Sequence, residues 1–198
     1  MRKHALALGM MTALLAVSAC KEGGGAGNTT AQTPAAQKAA GSKTIAAGLA
    51  PDSQFIVAAK TAGLDQTLAG PGPYTVLVPD DAAFTAAPAG TFDTKPGNRA
   101  KVTGILTNMI LPGTVLVADI DKAIETGKGK AVLATMGGGT LTATKEDGKT
   151  VLTDSAGTKA TISKGDEQFT NGVVHRISAV LMPGKESAAP AVGQKAGG

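Results

Sequence analysis

The constraint that decides most about this chain is a change of period at Pro112-Gly113. Before it, Val102, Ile105, Leu106, Met109 and Ile110 recur at spacings of three and four, the signature of one apolar helix face. The spacing predicts a helix over 98–111, stopped by Pro112, which cannot continue one. After it the period falls to two. The segments 114–117, 131–136, 140–145 and 149–153 read as strands, with a short helix over 119–126. Glu146-Asp147-Gly148 between two of them signals a hairpin, because Asp-Gly tolerates the positive φ of a tight turn. Asn171-Gly172 is a further turn, and 173–182 reads as the longest strand, with Val173, His175, Ile177, Ala179 and Leu181 on one face. Helices early and strands late predict an α+β fold in which helices pack on a mainly antiparallel twisted sheet or sandwich.

Nearer the start of this region, Asp52 or Ser53 caps a helix over 54–62 that Gly63 closes. Leu64 to Leu68 forms a short turn or helix, and Gly70-Pro71-Gly72-Pro73 a rigid turn. Tyr74 to Val78 is a β-branched and apolar run ended by Pro79, after which Asp80 or Asp81 starts another helix.

The flanks cannot join this core. Residues 21–43 are mostly Gly, Ala, Thr and Gln with little to bury, a flexible coil with a mean span of roughly 25 Å. The tail 185–198 has the same character. About 140 residues remain between them, sufficient for one core that buries close to 70% of its unfolded surface.

The first nineteen residues are of another kind. Met1-Arg2-Lys3-His4 is basic, and Ala5 to Ala16 carries no charge. A basic start, a short apolar run and small residues before a cut make a secretory signal over 1–19. The run is too short to span a bilayer, which takes roughly 20 residues. Val17-Ser18-Ala19-Cys20 resembles the lipobox of bacterial lipoproteins, and Cys20 is the only cysteine. Unpaired thiols are unusual in exported proteins; lipidation of Cys20 would make it a thioether anchor, with more than one acyl chain for stable attachment. The resemblance implies a membrane-anchored protein outside the cytoplasm, and Lys21 in place of an Asp favours the outer membrane or cell surface. Asn28-Thr29-Thr30 fits a glycosylation acceptor, idle in such a setting.

Composition removes one class of partner. The chain has 19 basic and 15 acidic residues, but residues 44–184 hold 12 basic against 13 acidic. A near-neutral head gives no electrostatic footprint for phosphate backbones. Aromatic residues are 3% of the chain, with no Trp, so stacking platforms are scarce. Nucleic acid is not an expected partner.

Two segments together resemble a known family. Tyr74-Thr75-Val76-Leu77-Val78-Pro79-Asp80-Asp81-Ala82-Ala83-Phe84 is similar to the first signature of the fasciclin domain. Asn171-Gly172-Val173-Val174-His175-Arg176-Ile177, running on to Pro183, is similar to the second. Leu106 to Gly113 resembles the helix end that closes on Pro112-Gly113, and the likeness spans 44–184. It implies the fasciclin-like fold, with Thr75, Val76, Pro79, Asp80, Asp81, Phe84, Pro112, Gly113, Asn171, Gly172 and His175 as motif residues. Two departures stand out: Asn108-Met109 replaces the Tyr-His of many members, and Ser178 a frequent Asp. Integrin contact, tied to the Tyr-His element in some animal members, is therefore not carried over.

No residue set compels catalysis. His175, the one histidine after the signal, reads as a structural residue hydrogen-bonded in or beside the core. Composition leaves open a triad of Ser178, His175 and a carboxylate, but parity weighs against it, since Ser178 and His175 point to opposite strand faces. Asp80-Asp81 and Asp119-x-Asp121 sit where helices begin, which capping explains without calcium. Gly137-Gly138-Gly139 lacks the Lys-Ser/Thr of a phosphate loop. No metal or cofactor is expected. The family likeness implies a non-catalytic interaction module that binds protein or glycan in adhesion or envelope and matrix association. The alternative is a periplasmic carrier or sensor of a small apolar ligand, with Met109, Met136 and Met182 lining a pocket.

Overall fold

The computed structural model describes residues 41–93 and 95–184. The predicted signal 1–19, Cys20, most of the linker, Asn28-Thr29-Thr30 and the tail 185–198 lie outside the described residues. Helices α1 (Ile45–Gly48), α2 (Gln54–Ala62) and α3 (Asp65–Ala69) lead into strand β1 (Tyr74–Pro79). Then follow α4 (Asp81–Ala86), α5 (Arg99–Asn108), β2 (Ile110–Pro112) and α6 (Val117–Thr126). Strands β3 (Lys130–Ala134), β4 (Thr140–Glu146), β5 (Lys149–Thr153), β6 (Lys159–Phe169) and β7 (Gly172–Ile177) complete the head. The sheet order is β2-β1-β7-β6-β5-β4-β3. Its two ends approach each other, since Met136 N–H donates to the Ile110 carbonyl across 2.7 Å.

Local chemistry sets several of these elements as expected. Ser53 accepts the Ile56 N–H at the start of α2, and Gly63 closes it in the left-handed conformation at φ 75°. The β4–β5 turn holds Asp147 at φ 50° and Gly148 at φ 76°, as a two-residue hairpin requires. A Cβ on Gly148 would meet no neighbour, so the cost of Gly148→Ala is conformational alone. That substitution should lower stability by about 1 kcal/mol, and Gly148→Asn by less, read as shifts in urea midpoint at constant slope.

Three expectations are corrected by tertiary pairing. The α5 helix ends at Asn108, and Ile110–Pro112 turns into a strand antiparallel to β1, with Val76 opposite Ile110 and Tyr74 opposite Pro112. Leu111 precedes a proline, which disfavours the helical region and favours extended backbone. The expected strand over 114–117 is a loop whose polar groups bond to side chains, and Val117 already starts α6. The last strand stops at Ile177, and the longest is β6 with 11 residues. β6 is not legible from alternation, because Lys164-Gly165-Asp166-Glu167 breaks it with a bulge.

The core lies between the sheet and the helices. All five residues of the predicted α5 face, from Val102 to Ile110, are buried. Ile120 and Ile124 of α6 join Leu141, Ala143 and Leu152 from the sheet in one apolar cluster with Phe55, Leu68 and Leu77. Each fully buried large side chain contributes about 1.5–3 kcal/mol relative to exposure. The two signature segments meet at the centre of the sheet: β1 and β7 run parallel from Tyr74↔Gly172 to Pro79↔Ile177. Buried between β1 and β6, β7 has apolar residues on both faces, not the single face its alternation suggested.

Candidate functional site

His175 stands at 0% exposure in the middle of β7. Its Nδ1 accepts the Asp166 N–H across 3.0 Å, so that nitrogen carries no proton. Nε2 is then the protonated one and donates to the Val115 carbonyl at 2.8 Å. Burial, which disfavours the charged ring, is the main influence on its pKa; the Val115 carbonyl and the Asp166 carboxylate act the other way, and the net shift is downward. Asp166 Oδ1 lies 3.9 Å from Nδ1, but that oxygen accepts the Val117 N–H at 2.9 Å and faces a neutral ring. Both ring nitrogens are committed inside the fold, so the imidazole cannot take a proton from a solvent-borne substrate. Ser178 lies just past β7, where its Oγ accepts the Thr161 N–H. The two side chains form no nucleophile–base pair.

Thr75 grips the same loop from the neighbouring strand. Its Oγ1 donates to the Gly113 carbonyl and accepts the Val115 N–H, each at 2.8 Å. The loop from Gly113 to Val117 is thus pinned by one polar residue from each signature, and by Asp166 from the β6 bulge. Asp119 Oδ2 reaches back to the Leu116 N–H at 3.1 Å, so two carboxylates serve the positive end of α6.

Asn171 does comparable work just before β7. Its Nδ2 donates to the carbonyls of Leu68 at 2.8 Å and Gly70 at 2.9 Å. Its Oδ1 accepts the Ile45 N–H at 2.8 Å. One amide therefore joins α1, α3 and the turn before β1. Gly172 follows it because the backbone of Tyr74 occupies the space a Cβ would need.

The remaining motif residues are also structural in position. Val76 and Pro79 are buried in β1, and Phe84 packs its ring against Phe92 at a centroid distance of 4.7 Å. Pro112 ends β2, and Gly113 takes φ 89° and donates to the Pro73 carbonyl. Asp80 does not cap α4 with its side chain; its Oδ2 accepts from Ser163 Oγ at 3.3 Å. Asp81 Oδ1 accepts the Gln54 N–H at 3.4 Å. Asp121, read above as a capping residue, instead ties α6 to the β4–β5 hairpin through Lys145 Nζ and Thr150 Oγ1, each at 2.7 Å. Partial burial raises its pKa, but those hydrogen bonds together outweigh burial and hold the carboxyl below its usual range. Glu167 behaves alike: burial raises its pKa, and Lys164 with Arg176 more than offsets it. Among the described residues, no group of three or more His, Cys, Asp or Glu is placed to hold a metal ion.

Two residues of this framework escaped the sequence reading. Asp166 follows a glycine inside a strand, the usual mark of a bulge. Asp154 is buried, accepts the N–H groups of Ala156 and Thr158 within its turn, and takes the Met182 N–H at 2.7 Å. Its signal was the turn-prone Asp154-Ser155-Ala156-Gly157.

The surface offers different chemistry. Asn108 and Met109, which stand in for the Tyr-His element, are 2% and 0% exposed and present nothing to a partner. Val57, Val132 and Met136 are the large apolar side chains left exposed among the described residues, Val132 most at 66%. An open groove of about 540 Å³ runs between α6 and β3, lined by Asp119, Lys122, Ala123, Thr126, Gly127 and the first half of β3. None of Met109, Met136 and Met182 lines it. No helix among the described residues is long and apolar enough to cross a membrane.

Residues 51–183 match the family model of the fasciclin domain. Protein sll1483 of Synechocystis sp. is 35% identical over 141 residues, covering 70% of this chain and 71% of that protein. The transforming growth factor-beta-induced protein ig-h3 of Sus scrofa is 31% identical over 131 residues, which are 66% of this chain but 17% of that one. Among solved structures, the FAS1 domain pair of the insect cell adhesion molecule Fasciclin I matches with a TM-score of 0.59 at 18% identity, covering 71% of this chain and 51% of that chain.

Proposed function

This chain belongs to the fasciclin domain family, and on that premise we propose that it is a non-catalytic interaction module working outside the cytoplasm. It binds a protein or glycan partner through the surface of its head, in adhesion or in envelope and matrix association. Cys20 carries the lipid anchor, residues 21–43 form the leash, and residues 44–184 are the presented domain. Many copies sharing one membrane would turn weak single contacts into useful avidity.

One observation carries this reading. Thr75 of the first signature and Asn171 and His175 of the second are spent on the fold itself: all three are buried with their side-chain polar groups hydrogen-bonded to backbone. Side chains used this way hold a scaffold, and binding falls to the exposed residues around it.

The test is capture from envelope and culture-matrix extracts by the full chain, immobilised and cross-linked, beside a Cys20→Ser form. A saturable protein or glycan partner retained by both forms is the expected result. Loss of envelope attachment in cells, with capture unchanged, is expected for Cys20→Ser. No saturable partner, from extracts in which control baits succeed, would overturn direct binding.

A further inference from the structure

We propose that Asn171-Gly172 is a self-modification site: when the head unfolds, Asn171 deamidates through the Gly172 nitrogen, and the fold then rejects the product. Asn28, Asn98, Asn108 and Asn171 are the asparagines of the chain, followed by Thr, Arg, Met and Gly in turn. Attack on an asparagine amide comes from the backbone nitrogen of the next residue. Gly172 alone offers that nitrogen with no side chain beside it and with the widest choice of backbone angles.

The step needs water and no other reactant. In an unfolded chain hydroxide takes the Gly172 amide proton, and the electron pair left on nitrogen attacks Cγ of Asn171. The N–Cγ bond forms as the Cγ–Nδ2 bond breaks, and Nδ2 leaves as ammonia with a proton from water. Water then opens the cyclic imide at either carbonyl. Breaking the new N–Cγ bond leaves Asp at 171. Breaking the original peptide bond instead leaves a backbone that runs through Cγ and is one carbon longer.

The fold holds the reacting atoms apart. Asn171 is 7% exposed. Its Nδ2, the leaving group, donates to the Leu68 and Gly70 carbonyls, and its Oδ1 accepts the Ile45 N–H. These bonds fix the amide towards α1 and α3, so Cγ cannot swing onto the Gly172 nitrogen. Gly172 is itself paired with Phe169 across the turn and with Tyr74 of β1. The Asn171 carbonyl accepts the Tyr74 N–H at 3.0 Å, which clamps the reacting peptide to β1. Fraying of the β6–β7 turn does not release the amide, because its partners lie in segments more than 100 residues away. Release takes the separation of α1, α3 and the turn before β1, which is the unfolding of the head.

The same contacts reject the product. Asp at 171 sets a carboxylate against two carbonyls. The longer backbone adds a carbon beside Gly172, where the backbone of Tyr74 already fills the space a Cβ would need. An unfolding event that outlasts the step therefore ends in a chain that cannot return, and reversible unfolding becomes irreversible.

The test holds the full chain carrying Cys20→Ser in mildly alkaline buffer, either native or unfolded in guanidinium, and follows deamidation by peptide mass mapping. Deamidation of Asn171 should be at least tenfold slower in the native protein than in the unfolded chain. In the unfolded chain it should be at least tenfold faster at Asn171 than at Asn108. The unfolded sample is then diluted to a guanidinium concentration just below the transition of untreated protein, and compact chains are separated from expanded ones by size exclusion. Deamidated Asn171 should collect in the expanded fraction and intact Asn171 in the compact one. The proposal fails if native and unfolded rates at Asn171 lie within tenfold, if Asn108 reacts as fast, or if modified chains refold alongside unmodified ones.

Discussion

Asn171→Ala is expected to lower the free energy of unfolding by about 3–5 kcal/mol. The side chain is 7% exposed and makes three hydrogen bonds, all to backbone groups more than 100 residues away in sequence. Alanine leaves the Ile45 N–H and the Leu68 and Gly70 carbonyls without that partner. An unpaired buried group costs about 1–3 kcal/mol, and relaxation around the deleted amide recovers part of the sum. Asn171→Asp is the sharper control. It keeps an acceptor for Ile45 but sets a carboxylate against two carbonyls, so it should be no better than alanine. Urea unfolding followed by far-ultraviolet circular dichroism measures both. A loss below about 1 kcal/mol for alanine would mean that water or a shifted α1 replaces the amide.

The second large effect is a pH dependence set by His175. Its pKa in the folded protein lies below the ordinary 6.5 because burial disfavours the imidazolium. The unfolded chain therefore takes up a proton that the folded one refuses. Stability rises with pH wherever the unfolded state binds more protons. This contribution is fully present above 6.5 and is lost as the pH falls from there through the folded pKa. The slope in that window has the sign of one extra proton on the unfolded chain and is bounded above by about 1.4 kcal/mol per pH unit. Asp121 and Glu167, whose folded pKa values lie below 3.8 and 4.5, add to the loss only in more acid solution. His175→Gln should lose about 2–3 kcal/mol at pH 7, since its amide cannot span from Asp166 to Val115 as the ring does. It should also abolish the slope that His175 sets just below pH 6.5. Stability profiles of both proteins across that range provide the check, and a slope retained in the variant would move its origin elsewhere.

Both effects come from residues whose role was invisible at the level of spacing. Strand position alone marks His175 as a structural residue in or beside the core. Its partners Val115 and Asp166 are not legible there, because they lie 60 and 9 positions away in different elements. Asn171 appeared as a turn residue before a strand. Its side chain instead holds together three segments from the first third of the described head. The carboxylates show the same division. Asp119 does cap α6 as its position at a helix start suggested, whereas Asp121, two residues on, faces the hairpin and pairs with Lys145 and Thr150.

Local sequence determined those elements whose stability is local. Helix α2 runs between a Ser53 cap and a Gly63 stop, and the β4–β5 hairpin turns on Asp147-Gly148, because caps and positive-φ turns are settled within four or five residues. The apolar spacing of Val102 to Ile110 determined that all five residues would be buried. Tertiary structure decided what that spacing could not: Ile110 leaves the helix because β1 supplies a ladder for it, and loop 113–117 forgoes a strand because Thr75, His175 and Asp166 satisfy its polar groups instead. It also decided that the two signatures, nearly a hundred residues apart, lie side by side as parallel strands. Pairings of that kind depend on which distant backbone groups remain unsatisfied once the core has closed, and each strand's own residues carry no record of the partner.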